Sequence, residues 1–144
     1  MLQKASNTVF NCFKYYCVFH CVTEHVVDVV ICSGESMEPS IQSGDIVIIQ
    51  RFSKVFNNVD KGDMILAKSP NENKLVVKRI QAMDGQTVRR GMRYRTVPKG
   101  SVWLEGDNKN NSLDSWHYGP VPKGLICGRV LCRIWPLSNF TLRV

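Results

Sequence analysis

Short apolar runs separated by turn residues fill the chain after residue 33, and they restrict its fold more than any other feature. Each run has the length and the alternating or continuous apolar character of a β-strand. Gly, Pro and Asn, which tight turns require, stand between the runs. Because no second long helical pattern appears, the spacing predicts a mainly β domain, a folded antiparallel sheet or small barrel, over residues 33–144. The predicted strands cover residues 45–51, 64–68, 75–82, 102–104 and 129–135.

Residues 9–31 follow a different pattern, in which Val, Phe, Tyr and Cys are interrupted by five charged or histidine residues. On a helical wheel these polar residues fall within an arc of about 140°, opposite a valine face. The pattern predicts one amphipathic helix within residues 1–32, which either lies in the membrane interface or spans the bilayer with its polar stripe against a partner helix. A helix covering a soluble core is the alternative. The polar residues are Lys14, His20, Glu24, His25 and Asp28, and the valines are Val18, Val22, Val26, Val29 and Val30.

Length and composition agree with one small globular domain. The chain has 144 residues, 44% of them apolar and 22% charged, which disfavours both disorder and a polytopic membrane protein. The net charge of +7 is compatible with nucleic acid, an anionic membrane or acidic polypeptide segments, and does not choose among them. The densest basic stretch is interpreted as a solvated hairpin or, alternatively, as a contact with anionic lipid. It comprises Arg89, Arg90, Arg93, Arg95 and Lys99.

The six cysteines do not form an evident disulfide framework. Four lie within residues 12–32, and the other two are Cys127 and Cys132. Five residues apart on one strand, Cys127 and Cys132 face opposite sides of the sheet, which disfavours a bond between them. The spacing of cysteines and histidines does not match a zinc site. We therefore predict mostly free thiols and no metal.

Ser36 lies on an irregular turn between the helical pattern and the first predicted strand, bracketed by Gly34 and Pro39. Such a turn can expose a hydroxyl group. Taken alone, a serine in this position is more often a turn or capping residue than a nucleophile.

Lys78 shares a strand face with Val76 and Ile80, because alternate side chains of a strand point the same way. Burial among apolar side chains lowers the pKa of a lysine, so that the neutral amine can take a proton from a serine hydroxyl. The alternative is a lysine whose stem lies along the sheet edge with its ammonium group in water. A third polar cluster, residues 106–120, would by itself be a loop between two strands.

Three motifs occur in one order: Ser-Met-x-Pro at residues 36–39, Lys-Arg at 78–79, and Gly-Asp-Asn with Ser-x-Asp-Ser at 106–115. Together they resemble the type I signal peptidase family, and residues 32–42, 103–108 and 118–122 resemble its mitochondrial inner-membrane branch. A whole set of motifs in the right order is far more specific than any one of them. The resemblance extends from Cys32 to Leu137.

The resemblance implies a membrane-tethered Ser/Lys endopeptidase that needs no metal or cofactor. Ser36 is implied as the nucleophile, with its own backbone N–H in the oxyanion hole, and Lys78 as the general base. Ser112 is implied to hydrogen-bond to Lys78 and orient it. Structural or cleft-shaping roles are implied for Met37, Pro39, Arg79, Asp107 and Asp114.

The sequence departs from the family pattern near these residues. Gly34 stands where many relatives have a hydroxyl side chain, so the second oxyanion donor is unassigned. Trp116 stands where the family usually has Arg, which removes the expected ion-pair partner of Asp114, and Arg79 is predicted to replace it. Ala82 and Gln86 also differ from the family pattern.

The resemblance also implies a setting and partners. We expect the mitochondrial inner membrane, with the catalytic domain facing the intermembrane space, where sorting segments are removed from precursor polypeptides. A heterodimer with a homologous second subunit and contact with inner-membrane lipid are implied. The alternatives are a catalytically silent scaffold subunit and a basic nucleic-acid binder. We expect no nucleic-acid partner, because the sequence has no zinc-finger, helix-turn-helix or aromatic reading device.

Overall fold

The computed structural model describes residues 7, 10–18, 20, 27–51, 59–72 and 74–142. Within them, helix α1 includes residues 10–18, helix α2 is Ser115–Tyr118, and single 3₁₀ turns occupy Lys123–Leu125 and Leu137–Asn139. The strands are β1 (Val27–Ile31), β2 (Ile46–Arg51), β3 (Met64–Lys68), β4 (Leu75–Ala82), β5 (Thr87–Arg90), β6 (Arg93–Thr96), β7 (Ser101–Glu105), β8 (Val121–Pro122), β9 (Ile126–Trp135) and β10 (Thr141–Leu142).

The strands form one curled antiparallel sheet in the order β1-β2-β9-β3-β4-β7-β8, with β10 paired to β9. Strands β5 and β6 form a separate hairpin. The predicted mainly β fold is confirmed, and β3 and β4 have the predicted bounds. Strand β9 begins at Ile126, three residues before its predicted start. The basic stretch is the predicted hairpin, with all side chains of β6 exposed.

Strand β3 lies at the centre of the sheet and is buried on both faces. Met64 and Leu66 pack in a cluster with Met37 and Ile41 from the segment before β2. On the opposite face, alternate β3 residues pack against side chains of β4, β7 and β8. The first cluster anchors the turn that carries Ser36, and the second surrounds the strand that carries Lys78.

The prediction of one helix through residue 31 is wrong at its C-terminal end. Residues Val27–Ile31 form β1 and pair antiparallel with β2, so that Val27 lies opposite Gln50 and Ile31 opposite Ile46. Val and Ile are β-branched and favour strands, and the edge of β2 supplies the backbone hydrogen bonds that a helix would otherwise make internally. Glu24, His25 and the other predicted helix residues at 21–26 lie outside the described part of the chain.

The described helical residues 10–18 are mostly exposed, including Phe10, Phe13 and Tyr15. Among the residues for which the structure gives a description, no helix is both long and apolar enough to cross a bilayer. Cys127 is exposed and Cys132 buried, on opposite faces of β9 as predicted. Cys12, Cys17 and Cys32 are free thiols, as are these two.

Candidate active site

The turn that carries Ser36 is anchored at both ends. Cys32 donates its N–H to the carbonyl oxygen of Asp45 at 2.8 Å, and Ile41 donates to that of Met37 at 2.9 Å. Met37 is only 4% exposed and holds the middle of the turn in the core. Gly34 has φ of +98°, in the left-handed region that favours glycine, which gives a physical reason for the absence of a side chain there.

The loop after β7 packs directly on this turn. The N–H of Asn108 donates to the carbonyl oxygen of Ser36 at 3.1 Å, and its side-chain amide donates to that of Glu35 at 3.1 Å. Asn111 donates from Nδ2 to the Glu35 carboxylate at 2.9 Å. Gly106 is buried, and a Cβ atom there would overlap both Ser112 Oγ and the Ser36 carbonyl oxygen. Glycine at 106 therefore permits the close approach of the Ser112 loop to Ser36.

Lys78 is buried in the apolar setting that strand alternation predicts. It is 3% exposed, lies opposite Ile65 on β3, and shares its face with Ile80. Burial lowers the pKa of Lys78 below its ordinary value, although the charges of Asp114 and Asp107 act in the opposite direction. The neutral amine of Lys78 therefore forms at lower pH than that of a lysine in water.

Ser36 and Lys78 line the same cleft, which has a volume of about 300 Å³. Its walls are the end of β1 with the following turn on one side, and the first residues of β4 on the other. Most lining side chains are apolar, such as Val30 and Val77. Met37 lines the cleft as expected, whereas Pro39 is exposed on the turn and is not part of the lining.

Two unpaired strand edges flank this cleft. Within the described residues, β1 pairs only with β2. Strand β4 begins to pair with β7 at Arg79, so residues 75–78 pair with β3 alone. Free backbone N–H and C=O groups at strand edges can pair with an added extended polypeptide.

Ser112 is buried and lies beside Gly106 and the Ser36 carbonyl. Its Oγ has no hydrogen-bond partner among the described residues. The structure therefore brings Ser112 to the site, but the hydrogen bond to Lys78 that the resemblance implies is not formed. Buried hydroxyl groups are normally satisfied, so this atom is available for a partner.

Arg79 pairs with Asp107, and the prediction that it pairs with Asp114 is wrong. Arg79 donates from Nε and Nη2 to the two carboxylate oxygens of Asp107 at 2.9 and 2.8 Å, and from Nη1 to the Gly62 carbonyl oxygen at 2.9 Å. Burial raises the pKa of Asp107, but hydrogen bonds from Arg79 and Ser40 outweigh it and leave the pKa below its usual value. The bidentate pair ties β4 to the loop after β7.

Asp114 is 1% exposed and caps helix α2 instead. Its carboxylate accepts from the N–H of Trp116 at 3.0 Å, and its own N–H donates to Nδ1 of His117 at 3.4 Å. These reciprocal bonds form a capping box, which satisfies N–H groups that the helix cannot bond internally. Burial and the charge of Asp114 raise the pKa of Tyr118 to about 12.

Glu105 binds two indole groups, an interaction that the sequence reasoning missed. Its Oε1 accepts from Nε1 of Trp116 at 2.7 Å and from Nε1 of Trp103 at 3.0 Å. The two rings meet edge to face, with centroids 5.1 Å apart. Trp103 and Glu105 are two residues apart on β7 and share a face, so the contact between these two could have been predicted from the sequence. This Trp103–Glu105–Trp116 clasp joins the two ends of the loop that carries Ser112.

We predict that Trp116→Phe destabilises the protein, because it keeps a ring against Trp103 but removes the N–H that Glu105 accepts. A hydrogen bond to a charged group contributes about 1.5–3 kcal/mol, so the melting temperature should fall by several degrees. Trp116→Arg offers Glu105 a cation in place of the indole N–H. Its free energy of unfolding should therefore stay within about 1 kcal/mol of the wild-type value. Thermal unfolding of the three proteins decides the matter; an unchanged melting temperature for Trp116→Phe would contradict the clasp.

Comparisons with known proteins identify one family for this chain. A family model described as signal peptidase, peptidase S26, matches residues 6–92 and 90–135. The chain is 44% identical over 147 residues to mitochondrial inner membrane protease subunit 1 of Homo sapiens, covering 97% of this chain and 89% of the relative. It is 37% identical to mitochondrial ATP-independent inner membrane protease subunit 1b of Arabidopsis thaliana, over 88% of this chain and 81% of the relative. It is 35% identical to mitochondrial inner membrane protease subunit 2 of Danio rerio, over 83% and 70%.

Proposed function

The chain belongs to the signal peptidase family, peptidase S26, and from this premise we propose that it is a membrane-bound endopeptidase that removes sorting segments from mitochondrial precursors. The family makes it a serine protease. One observation carries the proposal: a serine on an anchored turn and a buried lysine line the same apolar cleft. Precursors delivered to the intermembrane space are the proposed substrates.

The substrate binds as an extended strand between the free edges of β1 and β4. Its backbone pairs with these edges, and its side chains before the cleaved bond occupy the apolar cleft. Support comes from the unpaired edges at residues 27–31 and 75–78, because residues 30–31 of the first and all of the second line the cleft. Backbone pairing gives affinity with little dependence on sequence, and the cleft selects the side chains.

The reaction uses the neutral amine of Lys78. Lys78 Nζ takes the hydroxyl proton of Ser36 while Ser36 Oγ attacks the peptide carbonyl carbon. The N–H of Ser36, which makes no hydrogen bond within the described residues, stabilises the oxyanion. The protonated Lys78 then gives its proton to the leaving amine, and the acyl-enzyme forms. Lys78 next takes a proton from a water molecule, whose oxygen attacks the acyl carbon. The bond from that carbon to Ser36 Oγ then breaks, and Lys78 returns the proton to Ser36 Oγ.

Ser112 orients Lys78 in this mechanism. The neutral amine accepts the proton of Ser36 and donates one of its own to Ser112 Oγ, so that its lone pair points at the nucleophile. The buried Ser112 Oγ has no hydrogen-bond partner among the described residues and is free to accept this bond, which supports the role. Arg79 with Asp107, and Asp114 at the start of α2, hold the loop in place.

The setting is carried over from the relatives, which are named as mitochondrial inner membrane proteases. The N-terminal segment that precedes β1 associates with the inner membrane and its lipid. The β domain, which begins with β1 at Val27, faces the intermembrane space. A homologous second subunit completes a heterodimer. Relatives named subunit 2 are themselves similar to this chain, which supports an assembly of two related folds.

The test is cleavage of a panel of intermembrane-space precursors by the purified full chain, with and without the homologous subunit, and with Ser36→Ala as the control. We expect cuts that the control does not make. Intact precursors under every condition, with no covalent labelling of Ser36, would support the scaffold alternative.

For location, we expect the full chain to resist carbonate extraction from mitochondrial membranes, and we expect protease to digest the β domain once the outer membrane is opened. A protected β domain would contradict the orientation.

A further inference from the structure

A buried arginine on β9, Arg133, contacts the Ser36 segment, residues 32–45, which runs from the end of β1 to the start of β2. The side chain of Arg133 is 11% exposed, and its Nη1 donates to Oδ2 of Asp45, whose side chain is 5% exposed, at 2.9 Å. The same nitrogen donates to the carbonyl oxygen of Ser40 at 3.1 Å. Arg133 therefore holds the Ser36 segment at two points from a strand that is distant in sequence.

Asp45 closes the Ser36 segment into a loop. Its backbone carbonyl oxygen accepts from the N–H of Cys32 at 2.8 Å, and its carboxylate Oδ2 accepts from the N–H of Gln42 at 2.9 Å. The two ends of the segment thus meet at Asp45, with Ser36 between them. A buried carboxylate needs a paired cation, and within the described residues Arg133 is the one that forms an ion pair with Asp45. The shape of the loop therefore depends on Arg133.

Ser40 joins the Ser36 segment to the strand of the general base. Arg79, which follows Lys78 on β4, donates from Nη2 to Ser40 Oγ at 3.5 Å. Ser40 thus contacts Arg79 through its side chain and Arg133 through its carbonyl oxygen. Two arginines from two strands, β4 and β9, bind this one residue. The arrangement fixes the Ser36 segment relative to the strand that carries Lys78.

The C-terminal segment, residues 136–142, orients the guanidinium group of Arg133. Nε of Arg133 donates to the carbonyl oxygen of Asn139 at 2.9 Å, and Nη2 donates to Oγ1 of Thr141 at 3.5 Å. Thr141 lies directly opposite Arg133 in the pairing of β10 with β9. Because the N–H groups of a guanidinium lie in one plane, bonds on one side fix the direction of those on the other. The C-terminal segment thus sets the direction in which Arg133 donates to Asp45 and Ser40.

We propose that Arg133 is a positioning residue that keeps Ser36 within reach of Lys78, and that the C-terminal segment takes part in this role. The inference rests on the proposed function, in which Ser36 is the nucleophile and Lys78 the base. Proton transfer needs the two groups in hydrogen-bond contact, and a displacement of about 1 Å can lower the rate by on the order of 100-fold. Arg133 is not part of the cleft lining that the described residues form. Its loss therefore acts on kcat rather than on KM.

A second arginine on β9, Arg129, provides the matched comparison. Its Nη1 pairs with Oδ2 of Asp63 at 3.4 Å, and its Nη2 donates to Oε1 of Gln50 at 3.3 Å. Neither partner belongs to the Ser36 segment. Removal of Arg129 thus breaks an arginine–aspartate pair on the same strand and leaves the contacts of the Ser36 segment in place.

The experiment measures kcat and KM for one precursor peptide with the full chain and its homologous subunit, at a temperature where circular dichroism shows every variant to be folded. We expect Arg133→Met to lower kcat by about tenfold or more and to leave KM within about twofold of the wild-type value. Arg133→Lys keeps a cation and N–H donors for Asp45 and Ser40, so it should recover most of kcat. Arg129→Met should cleave like the wild type.

A second variant removes the buried charge that Arg133→Met leaves on Asp45. Arg133→Met/Asp45→Asn has no unpaired charge at this place but still lacks the donor to the Ser40 carbonyl oxygen. It should therefore fold and show the same loss of kcat. Its matched control is Arg129→Met/Asp63→Asn, which should keep the wild-type kcat.

Amide hydrogen exchange reports on the Ser36 segment without turnover. Exchange at residues 32–45 should be faster in Arg133→Met and in its double variant than in the wild type, because the loop has lost its support. In Arg129→Met the exchange of these residues should be unchanged.

The inference is overturned, while the proposed function stands, if the Arg133→Met proteins keep the wild-type kcat, if only their KM rises, or if the Arg129 variants lose as much. An Arg133→Lys protein as slow as Arg133→Met would also contradict it, because the charge and donors at this position would then not matter. If no protein cleaves the peptide, the proposed function fails. Faster exchange confined to residues 32–45 in Arg133→Met would then still support the positioning role, and unchanged exchange would overturn it.

Discussion

Ser36→Ala, Lys78→Met and the double variant are expected to lose nearly the same activity, on the order of 10⁴-fold or more in kcat. The reason is that neither residue of the pair works without the other. Without Lys78, no other described residue of the cleft lining can remove the proton of Ser36. Without Ser36, the neutral amine has no nucleophile to activate. Members of such a unit are therefore strongly non-additive, and the second substitution removes little that the first has left.

The measurement is single-turnover cleavage of one precursor by the four proteins at equal concentration. Ser138→Ala and Lys61→Met are matched controls, since both positions are exposed and lie outside the cleft. They should cleave like the wild type. If the losses of the two single variants multiply in the double variant, Ser36 and Lys78 act independently, and the dyad assignment is wrong.

Lys78→Arg is expected to be inactive although it keeps a cation at this position. Guanidinium does not release its proton at working pH, so it cannot serve as the base. In the wild type, burial lowers the pKa of Lys78, and the neutral amine is the active form. Cleavage should therefore rise with pH through this lowered pKa. The measurement is the pH profile of kcat/KM for the wild type and Lys78→Arg. An active Lys78→Arg protein would exclude Lys78 as the general base.

The same pKa shift makes Lys78 costly for folding. Between the lowered pKa in the folded state and the value of about 10.4 in the unfolded state, the unfolded chain binds more protons at this site. This term therefore favours unfolding at and below neutral pH, and its contribution to stability rises as pH increases through that window. Lys78→Met removes the term and fills the site with an apolar side chain.

We accordingly expect Lys78→Met to be as stable as the wild type or more stable at neutral pH, while its cleavage is lost. Its advantage in the free energy of unfolding should shrink as pH approaches 10.4, because the wild-type penalty fades there. Denaturant unfolding at several pH values, on the preparations used for cleavage, gives both readouts. Clear destabilisation by Lys78→Met would mean that the ammonium group is paired in the folded protein.

Several features of this protein were determined by the sequence alone, because they depend on local order along the chain. Side chains alternate along any strand, so the pattern around Lys78 placed it on the buried face with Ile80 before any neighbour was known. The bounds of β3 and β4 follow from apolar runs that end at turn residues. The order of three motifs was sufficient to indicate the signal peptidase family.

Other features were decided only by the tertiary structure, because they depend on which distant segments meet. Val27–Ile31 has a helical pattern as well as β-branched residues, and the free edge of β2 made it a strand. The sequence does not say which of two aspartates pairs with Arg79. The position of the loop after β7 brings Asp107, 28 residues away, into contact with Arg79, whereas Asp114 caps α2. The clasp on Glu105 likewise depends on Trp116, whose approach to Glu105 and Trp103 has no local signal. Local periodicity fixes the face of a side chain, but only the packing of the whole sheet fixes its partner.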